Sequence, residues 1–210
     1  MKRQSGFTLV EIAIVLVIVG LLLAGIIQGS ALINSGTAKN LANELKTIPV
    51  YVYQYQDKFR ALPGDDASAN SHVNGTNATA GGTIGNGRID GAWDSATNTE
   101  ESFLFWEHIR KAGLAAGPTG IGDAGYAPRN VAGGRIGISS AVPIVSMTGS
   151  YFVCSGAVLG KYVRQIDTTL DDGNTDTGSV RIAEQAASQQ SAVASANVDD
   201  SKSYNVCMAF

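Results

Sequence analysis

The sequence predicts an α+β fold in which a long N-terminal helix precedes a smaller body that contains β-strands. Two observations predict the helix: residues 7–27 are almost entirely apolar, and an apolar stripe then continues at three- and four-residue spacing to Phe59. A third observation predicts the strands, because short runs rich in β-branched and aromatic residues lie between residues 135 and 209. The chain of 210 residues fits one domain plus a membrane segment.

The first 27 residues have the charge pattern of a segment that enters a membrane. Lys2 and Arg3 precede an apolar stretch, residues 7–27, in which Glu11 is the single charged residue. This stretch can cross a bilayer as a helix, with the two basic residues on the cytoplasmic side and the C-terminal bulk outside. An ordinary secretory signal, cleaved after its apolar stretch, is the competing interpretation. A carboxylate costs about 2.5–3.5 kcal/mol on insertion scales, so Glu11 favours a retained helix with a function.

Residues 5–11 read SGFTLVE, and together with the apolar stretch that follows they resemble the cleavage and methylation motif of type IV pilins and type II secretion pseudopilins. The resemblance implies that a prepilin peptidase cuts after Gly6 and that Phe7 becomes N-methylated. It also implies that Glu11 pairs with the new α-amine of Phe7 on a neighbouring subunit and sets the register of assembly. An unpaired carboxylate in a bundle of apolar helices would be costly, which agrees with that role.

The resemblance also implies the architecture. The expected fold is a pilin-like α+β fold, in which a long helix with a membrane-spanning first half packs on a small antiparallel sheet. Residues 1–6 would be a cleaved leader, residues 7–61 the long helix with 7–27 in the membrane or filament core, and residues 62–210 a periplasmic or extracellular globular domain.

The function implied is that of a structural subunit, not an enzyme, of a type IV pilus-like filament or a secretion pseudopilus. Expected partners are the prepilin peptidase, other pilin or pseudopilin subunits, and an inner-membrane assembly platform. The expected location is the bacterial inner membrane, as a single-pass protein with a periplasmic C-terminus, and then a cell-surface pilus or a periplasmic pseudopilus. A net charge of −3 gives no indication of nucleic acid as a partner. The alternative is a membrane-anchored periplasmic binding domain that does not polymerise.

The second half of the long helix is predicted to dock on the globular part. Pro49 removes the hydrogen bond to the Leu45 carbonyl and predicts a kink at that point. The turn-forming residues 62–66 then follow the helix. The apolar stripe consists of Ala31, Asn34, Ala38, Leu41, Leu45, Ile48, Val52, Tyr55 and Phe59.

Beyond the long helix, the sequence predicts a surface loop at residues 70–94 and a short helix between a capping box, Asn98 with Glu101, and a stop at Gly113. His108 would decorate that helix. Strands are predicted at 135–139, 150–155 and 203–209, a further helix from the spacing of Leu159, Val163, Ile166 and Leu170, and a weak helix or poorly ordered loop at 184–197.

Two further sites are predicted from residue type and spacing. Cys154 and Cys207 are the two cysteines of a chain whose bulk is exported, which favours a disulfide over two buried thiols. Asp172, Asn174 and Asp176 place three oxygen ligands at alternate positions and make calcium the candidate cofactor. The alternative is a polar turn after a helix, since Thr177 stands where an EF-hand has glycine.

Overall fold

The computed structural model describes residues 8–185 and 190–210, and it has the predicted α+β fold with a long N-terminal helix packed on a small antiparallel sheet. A short 3-10 helix, Ser195–Asn197, lies between the last two strands. The helices and strands, in chain order, are α1 (Leu9–Phe59), α2 (Ala69–Val73), α3 (Glu101–Lys111), β1 (Ile136–Ser139), β2 (Phe152–Leu159), α4 (Gly160–Leu170), β3 (Val180–Glu184) and β4 (Ser203–Ala209).

The chain divides into two compact units between Gly36 and Thr37. In the first unit, every described residue from Thr8 to Gln28 is exposed, and the apolar side chains of α1 there contact no core. The second unit contains the rest of α1 together with the sheet and the other helices. The hydrophobic core therefore belongs to the second unit.

The second half of α1 buries the predicted stripe. Leu41, Leu45 and Val52 are fully buried, and each contributes roughly 1.5–3 kcal/mol relative to an exposed side chain. Pro49 lies inside the helix, which continues through it to Phe59. The kink at Pro49 stays a prediction. The buried residues of α1 are Ala38, Leu41, Ala42, Leu45, Ile48, Val52 and Tyr55.

The sheet has four antiparallel strands in the order β1-β2-β4-β3. The three predicted strands are present, and β2 continues to Leu159 past an irregularity between Ser155 and Val158. Strand β3 was not predicted. Its residues alternate, with Val180 and Ile182 buried and Arg181 partly exposed, but the run is only five residues long and follows an acidic, glycine-containing turn.

One local prediction was wrong at the start of α3. The residue that precedes the helix is Glu100, which is extended and makes no side-chain capping bond, so Asn98 does not form a capping box with Glu101. The Glu101 carboxylate instead turns inward and accepts a hydrogen bond from the Asp90 amide at 2.7 Å. The segment 70–94, predicted as a surface loop, is irregular and mostly exposed after α2 ends at Val73, although Ile89 is fully buried.

The remaining elements follow the sequence more closely. Gly113 adopts φ +75° directly after α3, as a helix stop requires. Helix α4 buries Val163 and Ile166, two members of the predicted spacing. Residues 186–189, inside the segment predicted as a weak helix or loop, lie outside the described residues.

Candidate assembly segment and buried polar sites

The described chain begins at the candidate assembly segment, just after the predicted cleavage site. Gly6 and Phe7 lie outside the described residues, so their processing and methylation stay predictions. Thr8 precedes the first turn of α1, and its backbone N–H and its hydroxyl both donate to Glu11 Oε2 at 2.9 Å. The Glu11 N–H donates back to Thr8 Oγ1 at 3.3 Å. This reciprocal pair is a capping box, which satisfies two amide donors at the helix start.

The capping role of Glu11 is a feature that the sequence analysis missed. The signal was present as Thr8-x-x-Glu11 before an apolar run, which is the usual pattern of a capping box. The carboxylate also lies in the first turn of α1, where the positive end of the helix dipole favours a negative charge. Glu11 therefore has a local structural role besides the one that the resemblance implies.

The apolar surface of α1 is extensive. Leu9 is 91% exposed, and Leu21, Ile27 and Ile33 are each about 70% exposed. Within the described residues, α1 is the helix whose length and composition would allow it to cross a membrane, with a mean hydropathy of 3.0 in its most apolar window. Soluble proteins rarely leave so large a continuous apolar surface in water, so this helix requires an apolar environment.

The disulfide joins the two central strands of the sheet. Cys154 in β2 and Cys207 in β4 are bonded, lie directly opposite one another, and are separated by 53 residues in sequence. Both are buried in a small apolar cluster with Ile144, Met147 and Phe152. The prediction of a bond rather than two free thiols is confirmed.

Both histidines belong to polar clusters at the C-terminal end of α1. Asp66 accepts hydrogen bonds from the Tyr55 hydroxyl at 2.8 Å and pairs with His72 Nδ1 at 2.7 Å. Burial alone would raise the pKa of Asp66, but the hydrogen bonds from His72, Tyr55 and the Ser68 amide outweigh burial and lower it. These contacts tie α2 to α1.

His108 is fully buried, so the prediction that it decorates the surface of α3 was wrong. Its Nδ1 atom accepts a hydrogen bond from the Gly64 amide, and its Nε2 atom lies 2.8 Å from the Thr76 carbonyl oxygen. Those two partners require the neutral ring with its proton on Nε2. Burial lowers the pKa of His108, which agrees with the neutral form.

The three predicted calcium ligands lie in the turn between α4 and β3. Asp172 accepts hydrogen bonds from the Asn174 amide at 2.8 Å and from the Thr177 hydroxyl at 2.9 Å. Within residues 8–185 and 190–210, no group of three or more His, Cys, Asp or Glu side chains is arranged to hold a metal ion. Calcium binding through Asp172, Asn174 and Asp176 stays a prediction.

Asp167 is a buried carboxylate beside this turn that the sequence analysis missed. It lies in α4, is fully buried, and neither of its oxygens receives a well-formed hydrogen bond from the described residues. Burial, followed by the neighbouring Asp172 and Asp171, raises its pKa to about 6. Its position four residues after Val163 places it on the apolar face of α4, which is the one signal that could have marked it, but its burial depends on how α4 packs on the sheet.

Comparison with known proteins identifies the N-terminal segment. The family described as the prokaryotic N-terminal methylation motif matches residues 1–27. No curated protein and no solved structure matches the chain. The chain thus carries the prepilin-type signature, as the resemblance at residues 5–11 predicted, and this signature supports a precursor of the type IV pilin or pseudopilin kind. The signature and the apolar helix together fit anchoring in the inner membrane before assembly.

Proposed function

We propose that this protein is a structural subunit of a type IV pilus-like filament or a type II secretion pseudopilus, processed after Gly6 and assembled through its apolar helix. One observation carries the proposal: the prepilin-type signature at residues 1–27 leads directly into an exposed apolar helix whose first turn holds a lone carboxylate. In the membrane, lipid covers this helix. In a filament, the helices of neighbouring subunits cover it.

Glu11 is proposed to guide assembly through its charge. Cleavage after Gly6 would free the α-amine of Phe7, which is a cation at the depth of the carboxylate on a neighbouring helix. A buried carboxylate without a partner is strongly destabilising, so a subunit at the wrong axial position would bind its neighbours too weakly to stay in the filament. The capping box with Thr8 supports this role, because it fixes the carboxylate at the first turn of α1 before a neighbour arrives.

We expect Glu11→Ala to leave the protein in the membrane and to reduce sheared surface or periplasmic filaments to background. Because this substitution also removes the capping box, Glu11→Gln is the matched variant: glutamine can accept the Thr8 N–H bond but has no charge. Both variants should fail to assemble if the charge pair is required. Electron microscopy and immunoblotting of sheared fractions, with exposed Glu184→Ala as the control, measure the result.

The outcomes distinguish the competing explanations. Normal filaments from Glu11→Gln but not from Glu11→Ala would show that Glu11 acts in assembly through its capping bond. That result would contradict the charge pair with the Phe7 α-amine. Normal filaments from Glu11→Ala would show that Glu11 does not set the axial register of the subunits. Mass analysis that finds cleavage and methylation at Phe7, without filaments from the wild-type chain, would favour the membrane-anchored binding domain.

We also propose that the turn between α4 and β3 binds calcium through Asp172, Asn174 and Asp176. The supporting observation is Asp167, a fully buried carboxylate beside Asp171 and Asp172 that receives no well-formed hydrogen bond from the described residues. A divalent cation near this group would balance the charge of several carboxylates that otherwise repel one another.

Calcium is expected to raise the melting temperature of the full chain in detergent. At a hundredfold excess over the dissociation constant, a ligand specific for the folded state adds about 2.7 kcal/mol to the free energy of unfolding. The rise should be smaller for Asp167→Asn, and magnesium should be less effective than calcium because it prefers a rigid octahedral site. A wild-type melting curve that is the same in calcium and in EDTA would remove this proposal.

A further inference from the structure

Three consecutive backbone amides donate hydrogen bonds to one carboxylate in the turn that follows α1. Asp65 is buried, and its carboxylate accepts hydrogen bonds from the N–H groups of Gly85, Asn86 at 3.2 Å and Gly87 at 2.7 Å. We call residues 85–87 the amide loop. Gly85 and Gly87 both have φ of +80°, a conformation that lets successive amides converge on one anion. The amide loop is thus held by a single carboxylate of the α1–α2 turn.

A second carboxyl group lies against the first. Glu101, the first residue of α3, is fully buried, and its Oε2 atom accepts a hydrogen bond from the Asp90 amide. Its Oε1 atom receives no hydrogen bond from the described residues. The chain approaches closely here, because a Cβ atom at Gly64 would collide with the backbone carbonyl of Glu101.

The charges around Glu101 are negative. The carboxylate of Asp65, in the turn between α1 and α2, lies within hydrogen-bonding range of Glu101. Asp90, in the segment before α3, also faces Glu101. Arg88 is paired with Asp90 at 3.3 Å and is largely exposed. Tyr151 donates to the Gly87 carbonyl at 3.1 Å, and burial, then Asp65, raises its pKa, so it is neutral. Two carboxyl groups in this position are compatible only if one of them holds a proton.

We propose that Asp65, Glu101 and the amide loop form a pH-sensitive clasp, which is closed when Glu101 is protonated and loosened when Glu101 ionises. In the closed state, protonated Glu101 donates to the Asp65 carboxylate, while Asp65 retains its three amide donors. Ionisation removes that hydrogen bond and places two negative charges side by side. This repulsion falls most readily if the amide loop and its neighbours open and let water reach the two carboxylates.

The direction of the pH effect follows from the same contacts. Burial first, and then Asp65 and Asp90, raise the pKa of Glu101 to about 7 against an ordinary value of 4.5. A group with a raised folded-state pKa binds its proton more tightly when closed, so its stabilising contribution is complete at acidic pH and is lost as the pH rises through 7. The clasp borders an open cavity of about 640 Å³ lined by Asp65, Gly85, Gly87, His72 and Tyr151, so its opening changes that surface.

Hydrogen–deuterium exchange on the full chain in detergent tests the clasp. With the two pKa values above, the opening equilibrium of residues 85–90 should rise on the order of 30-fold between pH 5.5 and pH 8.5, after correction for the intrinsic pH dependence of exchange. In Glu101→Gln, the amide nitrogen can donate to Asp65 at every pH while its oxygen accepts from Asp90. The 30-fold change should therefore disappear in this variant.

Glu184→Gln is the control, because it removes the charge of an exposed carboxylate, and it should keep the wild-type change at residues 85–90. Equal pH dependence in wild type and Glu101→Gln would overturn the clasp, as would a wild-type loop whose protection is the same at both pH values. The result is independent of filament formation, since it is measured on isolated subunits.

Discussion

Removing the disulfide, in the double variant Cys154→Ala/Cys207→Ala, is expected to lower the free energy of unfolding by about 4 kcal/mol. The bond closes a loop with a sequence separation of 53 residues, and the chain-entropy model assigns the stabilisation to the freedom that the unfolded chain then loses. Because domains are stable by only about 5–15 kcal/mol, the variant should be close to unfolding at physiological temperature.

Urea unfolding of the full chain in detergent, followed by the fluorescence of Trp93 and Trp106, measures this change. Reductant is the matched treatment: it should lower the unfolding midpoint of the wild-type chain and leave the double variant unaffected. Alanine is the preferred replacement, because a serine hydroxyl at these two buried positions would lack an assured hydrogen-bond partner. Identical midpoints for the wild-type chain and the double variant would show that the bond does not stabilise the body.

Leu45→Ala is expected to lower the free energy of unfolding by about 3 kcal/mol, within the range measured for buried leucines in other proteins. Leu45 is fully buried in the main core, and its truncation leaves a cavity between α1 and the body. Val50→Ala is the control on the same helix, because Val50 is 47% exposed and its truncation should cost less than about 0.5 kcal/mol.

The same urea experiment distinguishes these two variants. A large loss for Leu45→Ala and a small one for Val50→Ala would confirm that the second half of α1 is part of the cooperative core. Equal, small losses would mean that the body unfolds without involving α1.

The parts of the fold that the sequence predicted well are those set by local periodicity. The three- and four-residue spacing from Ala38 to Tyr55 predicted the buried face of α1, and β-branched or aromatic runs predicted β1, β2 and β4. Strand β3 was missed because five alternating residues after a polar turn give a weak signal. The start of α3 was misplaced because the Glu101 carboxylate is buried and accepts a hydrogen bond from the Asp90 amide, instead of capping the helix.

The candidate sites also divide into those that a local sequence pattern marks and those that contacts between distant segments create. The prepilin-type signature is a contiguous stretch, so it could be recognised from the sequence, whereas the capping bond between Thr8 and Glu11 was overlooked. The acidic neighbours of Asp167 are local, but its burial depends on how α4 packs on the sheet. Glu101 could not be found, because it becomes unusual only when the segments around Asp65 and Asp90 bury it beside other carboxylates. His108 was placed on the surface for the same reason, since the partners of its ring lie in the segments around Gly64 and Thr76.

The position of β4 has a consequence for how the protein is made. It follows the other three strands in sequence, yet it lies between β2 and β3 and supplies the second cysteine of the bond. Strand β3 and Cys154 have no partner until that segment has been synthesised. The sheet can therefore be completed only after its last strand has been made, and a chain interrupted before β4 would leave the edges of β2 and β3 unpaired and prone to aggregation.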